Sequence, residues 1–359
     1  MKTYLATKPW QITYPDPIRG TAGDKLVLGR RDDEFPGWVW VTSASSHSGW
    51  VPESWLRVEG DIGVLLSDYN ATELLLTPGD TVIGEIVESG WLWATATDGR
   101  TGWVPLDCLQ FVRRDGRDPV DLRPISFETG YTRWAEGSVL TRFGETHVLC
   151  NVTVENTLPA WLKNADPPRG WLTAEYAMLP RSTLTRTARE QRWPKGRTQE
   201  ISRLIGRSLR QAVDLSQLGE RTLTVDCDVL QADGGTRTAA ITGGWLAVAL
   251  ALRPLIVAGT LPEGVLGRQV AAVSVGVVDG QRLLDLDYRE DVAAAVDLNV
   301  VMTAGGEFIE VQGTGEHAPF ARSELDNLLN LAAEGIAQLC AAQQTVLLQP
   351  NKSPQPGLR

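Results

Sequence analysis

Asp226-Cys-Asp-Val-Leu-Gln-Ala-Asp-Gly-Gly-Thr-Arg-Thr-Ala-Ala-Ile-Thr-Gly-Gly-Trp245 reads as a strand, a glycine turn and the opening of a helix. Asp233-Gly234-Gly235 is turn chemistry, because glycine tolerates φ above zero. Thr236 falls at the capping position of a helix, and Ala239 to Leu252 is a run of good helix formers. A turn of this kind aims several backbone N–H groups at one spot and favours an anion there. Arg237 adds a full positive charge and a fork of donors shaped for phosphate oxygens. Two readings stand at this point: a phosphate seat, or a βα turn with a solvated arginine. No Gly-Lys-Ser/Thr follows, so the stretch is not a Walker loop.

Outward from this stretch, a chain of 359 residues allows two or three domains with sizeable cores. Its 43% hydrophobic and 22% charged residues are ordinary for a soluble globular protein. A net charge of −10 argues against a general nucleic-acid binder. The charge is uneven, however: Arg181 to Arg210 holds nine Lys/Arg against Glu190 and Glu200. Cys108, Cys150, Cys227 and Cys340 are scattered, with no C-x-x-C and no nearby histidines, which supports neither a disulfide framework nor a zinc site. The N-terminus carries no cleavage signature, and the most apolar run, Trp245 to Leu252, ends at Arg253-Pro254, too short to span a bilayer. A cytoplasmic protein is expected.

Residues 1–113 hold eight of the 13 tryptophans, which marks a separate module. Gly37-Trp38-Val39-Trp40 recurs as Gly90-Trp91-Leu92-Trp93, and Gly49-Trp50-Val51-Pro52 as Gly102-Trp103-Val104-Pro105. Every landmark shifts by the same 53 residues, so two copies of one β-rich unit stand in tandem. The second copy resembles an SH3-like barrel through Ser67-Asp68-Tyr69, Pro78-Gly79-Asp80, Trp91 and Pro105. The first is similar at Gly23-Asp24, Trp38 and Pro52 but opens on Tyr14-Pro15-Asp16-Pro17, a departure from the pattern. Where such barrels place a second groove tyrosine, these copies have Trp55 and Cys108. Most of the tryptophans are expected in barrel packing, with a peptide or RNA contact as the minority role. The expected domains are barrels at 1–58 and 59–112, a larger domain at 113–350 and a flexible tail at 351–359.

Beyond the charged boundary Phe111 to Pro119 the pattern is mixed α+β. Ser138–Phe143 and Thr146–Cys150 flank Gly144-Glu145 as a hairpin. Arg197 to Val213 has helical periodicity, with Arg203, Arg207 and Arg210 on its polar side. Val270–Val278 and Arg282–Asp287 form a second hairpin, Leu298–Met302 and Phe308–Gln312 are strands, and Ser323–Ala342 is a closing helix. Taken alone, Asp285, Asp287, Glu290 and Asp291 read as a solvated acidic hairpin.

Ordered strings across this larger domain resemble the ribonuclease PH family of phosphate-dependent exoribonucleases. They include Arg114-Asp-Gly-Arg117, Leu122-Arg-Pro124, Ala135-Glu-Gly-Ser-Val-Leu140, Thr173-Ala-Glu-Tyr-Ala-Met-Leu-Pro-Arg-Ser-Thr183, Cys227 to Ala240, Asn299-Val-Val-Met-Thr303 and Glu310-Val-Gln-Gly-Thr314. The resemblance implies an α+β domain that trims transfer RNA 3′ ends with inorganic phosphate as co-substrate, reversibly, in a homohexameric ring built as a trimer of dimers. It implies phosphate binding by Arg197, Gly235, Thr236 and Arg237, and RNA contacts by Arg181, Arg186 and Arg189, which accounts for the basic island. It implies catalytic roles for Asp291, Asp297 and Arg237, with Asp291 and Asp297 holding Mg²⁺, or Mn²⁺ in its place. Lys195-Gly196 stands before Arg197 where relatives often have Gly-Gly, and the tandem barrels lie outside the common architecture. His47, His147 and His317 are dispersed, which argues against a histidine-based nucleophilic triad. Two other functions fit the residues: a silent ring subunit that only holds RNA, and a scaffold docking partners through the barrels.

Overall fold

The computed structural model describes residues 2–189, 196–316 and 319–349, and the chain divides into two compact units, Met1–Asp118 and Pro119–Arg359. The tail expected at 351–359, the connection Glu190–Lys195 and His317 lie outside the described residues.

In the first unit, two five-stranded antiparallel sheets repeat one order. One runs Ser48–Pro52, Trp38–Thr42, Lys25–Arg31, Ile62–Leu65, Leu56–Glu59, and the other Thr101–Pro105, Trp91–Ala96, Thr81–Glu88, Lys2–Ala6, Leu109–Val112. The sheets therefore cross the cut expected between residues 58 and 59. Ile62–Leu65 closes the first sheet, and Lys2–Ala6 is inserted between Thr81–Glu88 and Leu109–Val112 in the second. A local turn explains the exchange. Gly60, at φ +65°, and Asp61 join Glu59 to Ile62 as paired neighbours, so a two-residue hairpin captures the strand before a distant sheet can. The amino-terminal strand then completes the other copy. Trp38 and Trp103 are buried in one apolar cluster of this unit.

The second unit is α+β. Its first sheet runs Ile125–Thr129, Gly137–Phe143, Thr146–Glu155, Thr222–Gln231, Trp171–Met178, with only the last pair parallel. Its second sheet runs Gln281–Leu284, Val270–Val278, Val296–Thr303, Phe308–Gly315 and is antiparallel throughout. Along Thr222–Gln231, Val225, Cys227 and Val229 point into the core while Asp226 and Asp228 sit half-buried on the other face, the period of a pleated strand. Among the described residues, four α-helices complete the unit: α1 (Gly196–Arg210), α2 (Thr236–Val257), α3 (Tyr288–Ala293) and α4 (Arg322–Leu348).

Helix α2 organises this unit, since it packs against both sheets. It is apolar on most sides because most of it is covered by the two sheets and α4. The helix runs past Arg253-Pro254, contrary to the shorter apolar run expected. Its length and mean hydropathy of 1.7 would suit a membrane span, yet 72% of that window is buried inside the protein. Two glycines let helix and sheet touch: a Cβ on Gly137 would lie 2.0 Å from the Ala247 carbonyl oxygen, and one on Gly243 1.9 Å from Thr141 Oγ1. Gln343 of α4, fully buried, donates to the carbonyls of Thr242 (2.9 Å) and Val270 (3.0 Å), tying α2 to the second sheet.

Candidate active site

The N-terminus of α2 opens into the site. Its cap is Gly235, in the left-handed region at φ +63°, rather than Thr236, which is the first helical residue. No side chain caps this helix end, so its leading N–H groups are left for a ligand. The Thr236 hydroxyl instead meets the Tyr176 hydroxyl at 2.8 Å, and burial raises the Tyr176 phenol above its ordinary range. Gly234 is also left-handed, and a Cβ there would lie 2.6 Å from the Leu286 carbonyl oxygen, so the two loops pack backbone to backbone.

What holds the loop is an ion pair that sequence reasoning missed. Arg123, 4% exposed, and Asp285, fully buried, join through Nη2 to Oδ1 (2.7 Å) and Nε to Oδ2 (3.0 Å), while the Arg123 backbone N–H donates to Oδ2 at 2.9 Å. Arg123 Nη1 also donates to the Asp233 carbonyl, and Thr146 Oγ1 donates to the Gly234 carbonyl at 2.6 Å. One guanidinium therefore fixes the glycine loop and the start of the acidic segment together. The solvated acidic hairpin is corrected accordingly: Asp285 is interior, and Asp287 caps α3 in a reciprocal capping box with Glu290. A pairing across 162 residues leaves no trace in local spacing.

Arg237, in the first turn of α2, donates from Nη1 to Gln312 Oε1 at 3.0 Å and lies 3.6 Å from Glu200 Oε1 of α1. Arg197 stands in the first turn of α1. Asp291 comes from α3 and Asp297 from the strand Val296–Thr303. Asp291 keeps access to solvent, but surrounding protein pushes its carboxyl up from the ordinary range, opposed by the charges of Arg237 and Arg197. Burial raises Asp297 too, followed by the charges of Asp291 and Glu316, with Arg237 acting against them. Arg197, Arg237, Asp291 and Asp297 thus share one electrostatic neighbourhood, to which the structure adds Glu316. The Oδ1 atom of Asp297 is buried without a hydrogen-bond partner among the described residues, which makes it a candidate ligand atom.

Arg181, Arg186 and Arg189 lie exposed on the loop after Trp171–Met178, with no acidic partner among the described residues. Two arginines on the polar side of α1 have structural work instead. Arg207 forms a two-bond pair with Glu310 (2.6 and 3.1 Å), and Arg210 donates to the Leu172 carbonyl at 3.0 Å with its guanidinium 4.7 Å from the Trp171 ring centre.

An arginine held by Gln312 at an open helix end, in the electrostatic field of two carboxylates, suits the stabilisation of phosphoryl charge. The class is therefore a phosphoester-processing enzyme of α+β fold. Residues 121–254 match the model of the 3′ exoribonuclease family, domain 1, and residues 268–335 that of domain 2. Over 238 residues the chain is 56% identical to ribonuclease PH of Moorella thermoacetica, covering 66% of this chain and 94% of that protein. It is 54% identical over 239 residues to ribonuclease PH of Synechococcus elongatus, covering 67% and 100%. Among solved structures, rice (Oryza sativa) Rrp46 superposes with a TM-score of 0.53 at 20% identity, over 66% of this chain and all of that one. A chain of the Archaeoglobus fulgidus exosome with RNA bound to the active site superposes with a TM-score of 0.53 at 24% identity, over 64% and 91%. The chain belongs to the ribonuclease PH family of 3′ exoribonucleases.

Proposed function

We propose that the enzyme shortens the 3′ ends of transfer RNA precursors by phosphorolysis, with the α2 loop as the seat of the attacking phosphate. The observation that carries this reading is the uncapped N-terminus of α2 with Arg237 in its first turn, in a chain of the ribonuclease PH family. A phosphate oxygen attacks the terminal diester phosphorus and the bond to the preceding 3′-oxygen breaks. A nucleoside 5′-diphosphate leaves, and the chain keeps a free 3′-hydroxyl. Two anions must approach for this to happen. Gly235, Thr236, Arg197 and Arg237 offset their repulsion through backbone N–H groups, the helix end and two guanidinium groups. Asp291 or Asp297 assists the proton that reaches the leaving 3′-oxygen. The exchanged bonds are similar in energy, so the reaction also runs as nucleotide addition.

Asp291 and Asp297 fit a hard divalent cation, Mg²⁺ with Mn²⁺ as its experimental substitute, because the buried Oδ1 of Asp297 lacks a protein partner. Among the described residues no group of three or more His, Cys, Asp or Glu could hold such an ion. When bound, it neutralises charge on the phosphoryl oxygens. The assembly we infer is a homohexameric ring, and the 80% exposed Trp134 and 64% exposed Trp161 offer apolar surface for such contacts. We place the enzyme in the cytoplasm. A silent ring subunit would have no use for Arg237, Asp291 and Asp297 together.

Incubation with Mg²⁺ and a transfer RNA precursor tests the reading directly. Nucleoside diphosphates are expected only when phosphate is added; monophosphate release without it would make the enzyme a hydrolase. For Arg181, Arg186 and Arg189, joint replacement by alanine is expected to weaken RNA binding at low salt. It should also flatten the slope of log K against log salt by about 2, the counterions released by three single-strand phosphate contacts. An unchanged slope would place the RNA track elsewhere.

A further inference from the structure

The amino-terminal unit contains a cavity of about 170 Å³ that the nuclease reading does not use. The strand exchange builds its walls. The chain leaving Lys2–Ala6 carries Trp10, Thr13 and Tyr14 from one sheet towards the other. The chain leaving Ile62–Leu65 carries Tyr69 and Glu73 in the opposite sense. The two crossing segments pair at Trp10 with Leu76, Gly20 with Tyr69 and Arg19 with Asn70.

Rings from both copies meet here at right angles rather than in a stack. Trp91 stands edge to face with Trp10 (5.3 Å, 88°) and Phe35 (5.4 Å, 68°), and Trp38 with Trp103 (5.3 Å, 90°). Aromatic side chains of both copies line the cavity, the residue types whose π faces attract a cation. The polar lining has one sign: Asp32 and Glu34 contribute carboxylates, Glu73 a third, and no lysine or arginine lines the cavity. Glu73 is only 7% exposed, and one of its oxygens accepts from the Thr13 N–H at 2.7 Å. Burial raises its carboxyl, opposed chiefly by the Thr13 backbone N–H that it accepts from. A carboxylate buried among indoles without a counter-ion is costly, and a bound cation removes the cost. The unit as a whole, residues 1–118, has 11 Lys/Arg against 17 Asp/Glu, which repels RNA and attracts a basic partner.

We propose that this cavity is a cation cage that receives a lysine or arginine side chain from a basic peptide, with Glu73 as its inner anchor and Asp32 and Glu34 as outer ones. The site is independent of the phosphorolytic one and belongs to neither copy alone.

The test uses the full chain, intrinsic tryptophan fluorescence and calorimetry. The probes are a lysine- and arginine-containing peptide and the same peptide with glutamine at those positions. The basic peptide is expected to bind and the glutamine peptide not, with tetramethylammonium competing for the site. Glu73→Gln should weaken binding by about tenfold while circular dichroism and phosphate-dependent turnover stay unchanged. If that variant alters the circular dichroism, the joint change Asp32→Asn and Glu34→Gln keeps the question open to measurement and should weaken binding severalfold. Equal binding of the two peptides, full binding by the folded variants, or displacement by an RNA oligomer or by a proline-rich peptide lacking basic residues would overturn the proposal.

Discussion

Arg237→Ala is expected to lower phosphate-dependent turnover by about 10²–10³-fold while leaving RNA retention nearly unchanged. The guanidinium stands at the open end of α2, and its charge reaches both Asp291 and Asp297. Its loss removes a donor from the open end of α2, which is expected to act on the transition state more than on RNA binding. Gln312 and Glu200 are its protein partners, and neither is buried, so the fold should survive the change. Single-turnover rates at saturating RNA, with phosphate titrated, separate the effects. A raised phosphate requirement with an unchanged maximal rate would mean that Arg237 only binds phosphate. An unaffected rate would remove it from the site.

Asp285→Ala should destabilise the second unit by about 3–5 kcal/mol, because it leaves the Arg123 guanidinium buried without its counter-charge. Urea unfolding followed by circular dichroism measures this loss. The double change Arg123→Met with Asp285→Leu should recover much of the stability, since neither remaining side chain is then an unpaired buried ion. Turnover is not expected to recover with it. Arg123 also donates to the Asp233 and Gly234 carbonyls, so without it the glycine loop loses a clamp that no apolar residue replaces. Activity regained together with stability would show that the pair serves the fold alone.

Much of the larger domain was legible because its elements are periodic over short distances. The hairpin around Gly144-Glu145, the helical period after Arg197 and the apolar run after Thr236 each belong to one element; the hairpin strands and the α2 run extend further than expected, while α1 ends at Arg210, short of Val213. The 53-residue repeat was equally visible. The exchange of strands between the copies was not read, although Gly60-Asp61 is the two-residue hairpin signal that produces it. The Thr236 cap failed for a local reason: glycine at 235 can enter the left-handed region and end the loop one residue earlier.

By itself, the sequence determined which chemistry is present: a glycine turn with arginine at a helix start, two carboxylates ahead of a strand, an exposed basic segment and a duplicated tryptophan-rich unit. Only tertiary structure decided that Arg123 and Asp285 meet, that Asp285 lies inside while Asp291 stays open to solvent, and that two five-stranded sheets exchange strands around one cavity. Local patterns record the conformational preferences of neighbouring residues. The burial of a charge and the identity of its partner depend on which distant segments the folded core brings together, and no spacing along the chain encodes that.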